Sequence, residues 1–368
     1  AGDNSGYSVS LSSDGSIVAI GANGNGQYSG HVRIFENVNG NWNQIGGDID
    51  AEAAYDESGW SVSISDDGNT VAIGARSNDG NGSSSGHVRI YNWSGTSWNQ
   101  RGQDIDGEAA WDESGSSVSI SSDGNTLAIG APNNDGNGNN AGHVRIYNFN
   151  GTSWNQLGND IDGEAAGDKS GYSVSLSSDG NTVAIGARDN DGNSGNSNDN
   201  RGHVRIYDWN GSSWQQRGID VDGEASNDGC GRSISLSSDG NTVAIGADGN
   251  TGNGYSSGHV RIYNVSPPCT FGCTDTLAVN YDPTAVIDDS TCSYAGCTDS
   301  LAFNYNPTTV VDDSSCVPFI YGCTDSLACN YDSLANTADG SCLYPSLSST
   351  VITECDAYTW NGTTYTTS

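Results

Sequence analysis

The chain has no methionine, and its first 229 residues have no cysteine. It has one lysine, Lys169. Basic residues number 12 against 45 acidic ones, a formal net charge of −33 over 368 residues. That charge repels phosphate backbones and excludes nucleic-acid binding. It also repels anionic lipid surfaces. No apolar run approaches the ~20 residues of a membrane helix, so direct membrane insertion is not expected, and no signal peptide is visible. The missing methionine leads us to expect a processed chain or a piece of a longer one. Apolar residues make up only 34%. Val, Ile, Trp and Tyr nonetheless recur at regular intervals, which argues for many short strands rather than disorder.

What is present is repetition. The string GHVRI occurs at His31, His87, His143, His203 and His259, spaced 56, 56, 60 and 56 residues apart. These are all five histidines of the chain. The string IGA places Gly21, Gly74, Gly130, Gly186 and Gly246, and a Trp-Asn/Gln-Gln string places Trp42, Trp98, Trp154 and Trp214. Each copy reads as four strands. In the fourth, residues 172–177 alternate apolar and polar, a strand pattern. Asp179-Gly180 marks a tight hairpin. Residues 182–187, 202–207 and 213–216 supply the other strands, with Asn210-Gly211 as the second tight turn. A four-stranded antiparallel unit recurring every ~55 residues points to an all-β chain built as a β-propeller. The competing architecture is a linear β-solenoid, whose coils are usually shorter. The repeats run over about 1–53, 54–109, 110–165, 166–225 and 226–266, so the propeller spans 1–266.

The residues GYSVSLSSDGNTVAIGA followed by GHVRIY resemble the FG-GAP repeat of integrin α-chain propellers and of many bacterial surface proteins. The third copy has Ile129-Gly-Ala-Pro132, similar to that family's GAP. The resemblance implies an exported, surface-exposed propeller. The family often has a calcium loop between the first two strands. Here only a short turn stands there, at Asp14, Asp67, Asp123, Asp179 and Asp239, so calcium does not carry over to that position.

Antiparallel order puts the tight turns on one rim of the propeller and the long loops on the other. The link between blades carries Asp48, Asp50, Glu52 and Asp56, repeated as Asp104, Asp106, Glu108 and Asp112. It recurs as Asp160, Asp162, Glu164 and Asp168, and as Asp220, Asp222, Glu224 and Asp228. The loop from strand two to three carries Asp79, Asp135 and the run Asp189, Asp191, Asn193. Oxygen ligands two apart, followed by glycine, suit Ca²⁺. The alternative is that Asp, Asn and Gly are simply favoured loop residues. His31, His87, His143, His203 and His259 stand beside Arg33, Arg89, Arg145, Arg205 and Arg261 in every copy. Identical placement on a strand argues for a structural ring between blades, since an active site needs different residues converging once. The tryptophans read as blade packing, with sugar stacking as the alternative.

After Pro267-Pro268 a second repeat begins, extending over 267–343. Its cysteines lie 19 apart: Cys273 and Cys292, Cys297 and Cys316, Cys323 and Cys342. There is no Cys-x-x-Cys pair and no histidine after His259, which favours disulfides over zinc and an oxidising, extracellular setting. Pairing within each copy is simplest; pairing between neighbours is the alternative. Closing such a loop stabilises by roughly 3 kcal/mol in the chain-entropy model. Cys230, Cys269, Cys329 and Cys355 are left over, and Cys230 with Cys269 is one candidate clip. These copies resemble short Cys-rich repeats of large secreted proteins from marine Bacteroidetes, and loosely the thrombospondin type 3 calcium repeats. Residues 344–368 look like the opening hairpin of another, truncated β module.

The expectation is a secreted surface protein, not an enzyme. It would bind a glycan or a surface protein through repeated acidic loops, with the Cys-rich copies as spacer. The rivals are a self-associating filament subunit and a propeller hydrolase or lyase. No cofactor other than Ca²⁺ is expected.

Overall fold

The computed structural model describes residues 2–192, 199–265, 271–283, 285, 287–344 and 357–366. Asn193, Cys269 and Cys355 lie outside them. Contacts divide the chain into two units, Ala1–Pro267 and Pro268–Ser368.

The first unit is a β-propeller arc of five blades. Blade one runs Ser8–Leu11, Ile17–Ala22, His31–Val38 and Asn41–Gln44, in that spatial order. Blades two, three and four repeat the order from Ser61–Ile64, Ser117–Ile120 and Ser170–Leu176. Blade five has three strands, Cys230–Leu236, Thr242–Ala247 and His259–Asn264. The short turn Asn25–Tyr28 of blade one is wound left-handed, with φ of 58°, 66° and 60° at Gly26, Gln27 and Tyr28, and is not an α-helix. Each complete blade also has a strand that the sequence pattern did not reveal. Ile49–Asp50, Ile105–Asp106, Ile161–Asp162 and Val221–Asp222 pair with strand three of their own blades. The acidic link is therefore partly sheet. Blades one, two and four contribute Tyr7, Trp60 and Tyr172 to one cavity, which a straight stack of sheets would not allow.

The core lies between blades rather than within them. Val32 and Ile34 of blade one pack on Val62, Ile64, Val71 and Ile73 of blade two. Val88 and Ile90 meet Ile120, Leu127 and Ile129. Val144 and Ile146 meet Val174, Leu176, Val183 and Ile185. Val204 and Ile206 meet Leu236, Val243 and Ile245. Burying one such side chain is worth about 1.5–3 kcal/mol. Each seam is also locked by hydrogen bonds: Ser117 Oγ donates to the Gly171 carbonyl at 2.8 Å, and the Leu176 amide to Ser119 Oγ at 2.9 Å.

The two ends of the arc lack this cover. Val9 and Leu11 are 62% and 58% exposed, against 9% and 6% for their counterparts Val62 and Ile64. Val260 and Ile262 are 67% and 71% exposed, where Val88 and Ile90 are fully buried. The front of blade one and the back of blade five are thus the two halves of a seam, left apart.

The Gly of IGA marks where the next blade comes closest. A Cβ on Gly130 would lie inside contact distance of the Gly171 carbonyl, and Gly74 stands in the same relation to Gly115. Gly246, in the last blade, meets only Ser233 of its own blade.

In the second unit, disulfides join Cys273 to Cys292, Cys297 to Cys316 and Cys323 to Cys342, with Cα separations of 4.7, 4.7 and 4.8 Å. Each module has a short parallel pair, such as Thr309–Asp312 beside Tyr294–Gly296. Among the described residues, burial in each module is confined to the first cysteine and one alanine, for example Cys297 and Ala302. An asparagine replaces the missing core: Asn304 donates to the Ser315 carbonyl at 2.8 Å and accepts from the Val317 amide at 2.7 Å. Residues Ala357–Trp360 and Thr363–Thr366 form an antiparallel hairpin. Cys230 is a buried free thiol, so the expected clip to Cys269 is not made at this end. Cys230 stands where Ser58, Ser114 and Ser170 stand in other blades, and burial pushes its pKa up to about 11.

These contacts set a stability test. Gly130→Ala forces two backbones apart and is expected to cost about 1–3 kcal/mol. Gly246→Ala, with no blade beyond it, is expected to cost clearly less in the same thermal melts; equal losses would remove the close-approach account.

Candidate binding face

The long loops and the blade links lie on one rim. The opposite rim is made of tight turns whose Asp side chains are committed locally. Asp14 accepts from the Ser16 hydroxyl, the Ser16 amide and the Ser12 hydroxyl, which hold its pKa down at about 2. Asp67 and Asp123 do the same work in their turns.

On the loop rim, each seam carries a His–Arg–carboxylate group. Arg145 donates to the Asp106 carbonyl at 2.7 Å and lies 3.7 Å from Glu108. His143 Nδ1 is 3.8 Å from Glu108 and 3.7 Å from Asp160. Arg205, Asp162, Glu164, His203 and Asp220 repeat the group at the next seam. Arg89, Asp50, Glu52 and His87 form it at the first seam, and Arg261, Asp222, Glu224 and His259 at the last. Arg33, in blade one, instead makes a two-pronged pair with Asp48 of its own blade, at 3.0 and 2.9 Å. Burial, with Arg145 beside it, drops the His143 pKa to about 4; burial and Arg205 do the same to His203. Burial raises Glu108 and Glu164.

Among the described residues, four sets bring an imidazole and two carboxylates within 4.8 Å: His31/Asp48/Asp50, Glu52/His87/Asp104, Glu108/His143/Asp160 and Glu164/His203/Asp220. Such a donor set suits a borderline divalent ion and not the all-oxygen shell of Ca²⁺. The arginine 3.6–3.7 Å from the same glutamates opposes a further cation. The loop carboxylates are partly spent on their own backbones. Asp79 accepts from the Ser84 amide and Asp135 from the Asn140 amide, both at 2.8 Å. Asp191 accepts from the amides of Asp199 and Asn200 at 2.8 and 3.0 Å. Asp189 faces Lys169 and Arg188, each at 3.7 Å. Asp56, Asp112, Asp168 and Asp228 are buried, as link staples: Asp112 accepts from the Ala109 amide at 3.0 Å and from Asn134 Nδ2 at 2.9 Å.

One feature escaped the sequence reading. At the axial end of this rim the repeats stop being alike. The residue two places before the first aliphatic of strand one is Tyr7, Trp60, Ser116, Tyr172 and Arg232 in turn, and the residue after IGA includes Arg76, Pro132 and Arg188. Tyr7 and Trp60 have ring centroids 4.5 Å apart. The Arg76 guanidinium lies 3.1 Å above the Trp60 ring and pairs with Glu57 at 2.8 Å. Arg232 donates to the Tyr172 hydroxyl at 3.0 Å. Tyr7, Trp60, Arg76 and Tyr172, with Glu113, Asn133 and Lys169, line a cavity of about 430 Å³. The signal was available: it is the set of positions at which near-identical copies differ.

The buried imidazoles set the acid response of the seams. Unfolded histidine takes up its proton near pH 6.5, while folded His143 and His203 wait until about 4. The unfolded chain therefore binds more protons in that window, and stability falls as pH drops from about 6.5 to 4. The raised Glu108 and Glu164 oppose this in part. We expect proton NMR to place both imidazole midpoints near pH 4; midpoints above 6 would contradict the seam assignment.

A family model described as the FG-GAP repeat matches residues 50–91 and 105–147. These cover blades two and three from the incoming link to strand three. No curated protein matches the chain. Among solved structures, hydrazine synthase of Kuenenia stuttgartiensis aligns at 16% identity and a TM-score of 0.47, over 71% of this chain and 63% of that one. The chain thus spans less than two thirds of that structure. A candidate 6-phosphogluconolactonase of Bacteroides uniformis aligns at 12% identity and a TM-score of 0.50, over 72% of this chain and 68% of that one. The second likeness, at 12% identity, speaks to fold alone. The chain is a β-propeller in which residues 50–91 and 105–147 match the FG-GAP repeat.

Proposed function

We propose that the chain is an extracellular, cell-surface-associated binding protein. The propeller engages a glycan or a surface protein through its loop rim, and the disulfide-stapled modules that follow in sequence serve as spacer. The carrying observation is the asymmetry of the two rims. One is a set of short turns closed on themselves by Asp side chains. The other holds every long loop, the blade links and the cavity at the axis. Repeating loops give repeated weak sites, and linked weak sites raise overall strength by 10²–10⁴ without new contacts. The histidines of the inner seams support binding rather than turnover: His87, His143 and His203 recur identically, sit buried and face arginine and carboxylate. Disulfides in the second unit accord with an oxidising compartment. Beads coated with the intact chain are expected to stick saturably to surfaces bearing the ligand, with soluble chain competing and the ligand recovered intact. Chemical conversion of the retained ligand would overturn this reading.

A second reading, a self-associating filament subunit, is favoured by the exposed ends of the arc. The back of blade five offers Val260 and Ile262, and the front of blade one offers Val9 and Leu11. Four internal seams already join these same two faces. One copy's last blade therefore fits the next copy's first blade, a head-to-tail contact that builds rings or filaments. Light scattering is expected to show mass growing with concentration, and Val260→Lys with Ile262→Lys to abolish that growth while the melt is kept. A monomer at every concentration would eliminate this reading.

A further inference from the structure

Tyr28, Tyr55 and Trp111 share an unusual state. All three have a left-handed backbone, with φ of 60°, 70° and 73°. All three are exposed, at 53%, 64% and 64%. The sister blades fill the same positions with residues that tolerate such a backbone or that are small and polar. The place of Tyr55 and Trp111 is taken by Gly2, Gly167 and Asn227, and that of Tyr28 by Ser84, Asn140, Asn200 and Ser256, all with positive φ. A left-handed residue with a Cβ costs roughly 1–2 kcal/mol. A bulky aromatic ring held in solvent recovers little of that by packing. Strain kept without a packing gain marks a functional position.

Backbone hydrogen bonds bring these rings to one place. The Tyr55 amide donates to the Gln27 carbonyl at 3.2 Å, and the Glu57 amide to the Tyr28 carbonyl at 2.9 Å. The next link repeats this zipper: the Trp111 amide donates to the Ser83 carbonyl at 2.8 Å, and the Glu113 amide to the Ser84 carbonyl at 3.1 Å. Tyr28 and Tyr55 line one side of a shallow cleft of about 530 Å³, with Glu57, Ser77, Asp79, Ser83 and Ser84. Trp111 is thus hung on the two serines that line the cleft.

We propose that this cleft is a binding station for a neutral glycan. The site rests on the binding reading above and names its ligand class. Aromatic faces meet the C–H face of a sugar ring, while carboxylates and hydroxyls take up its hydroxyl groups. Glu57 is paired with Arg76, but Asp79 adds negative charge to a chain of net charge −33, so uronate and sulfated polymers are repelled. Tyr55 and Trp111 occupy equivalent points on successive links, so a chain of sugars can touch both.

The test uses the intact chain and a panel of soluble neutral glucans, mannans, galactans and xylans, with alginate and a sulfated galactan as anionic counterparts. Binding is followed by calorimetry and tryptophan fluorescence. Tyr55→Gly and Trp111→Gly suit the left-handed backbone, so the melting temperature is expected to hold or rise. Each is expected to weaken binding to the best neutral glycan about tenfold, and the pair about a hundredfold. A preference for the anionic polymers overturns the proposal. So does a melting temperature that falls with binding, which would make the rings structural. If no neutral glycan binds while coated beads still adhere, the glycan station falls and the binding reading stands. If adhesion is absent as well, both fall.

Discussion

Sheet against sheet is the contact on which this propeller depends. A single blade has two apolar faces and no way to cover either. Val144 and Ile146 are buried only because Val174, Leu176, Val183 and Ile185 lie on them. Everything else follows from that closeness. The strand-two glycine has no side chain because the next backbone passes over it. The serines of strand one cap that passing backbone. The arginine of strand three reaches across to the preceding link's carbonyl. Polar and apolar contacts thus name the same neighbour.

The histidines show how this constraint shapes chemistry. They sit beside carboxylates at 3.7–3.9 Å, beyond direct hydrogen-bonding range. In water such a neighbour would favour the charged ring, but at His143 and His203 burial outweighs it and the ring stays neutral down to about pH 4. Chemistry on this rim is therefore left to the parts that stand clear of the seams, the loop tips and the axial mouth.

Much of this fold was legible in the sequence because it is periodic. Alternation in residues 172–177 and the Asp-Gly turns located strands one and two, and the recurrence of GHVRI located strand three. The spacing of cysteines fitted the three disulfides. The short strands Ile105–Asp106 and Ile161–Asp162 were not legible, since two residues carry no period and their acidic neighbours read as loop. Nor was the axial mouth. A search for sameness passes over Trp60, Arg76, Tyr172 and Arg232 because they are the exceptions. Tyr55 and Trp111 were hidden for a different reason: their backbone conformation appears only in coordinates. The state of Cys230 likewise depended on its burial at a position that serine holds elsewhere.

The joints of the arc have one further meaning. Blades one and five keep the apolar pattern of the blades between them: Val9 and Leu11 match Val62 and Ile64, and Val260 and Ile262 match Val88 and Ile90. Because each joint uses the same pair of surfaces, blades are interchangeable parts. A gene of this kind can gain or lose a blade by recombination without inventing a new contact, so the array's length is free to drift while its rim diversifies.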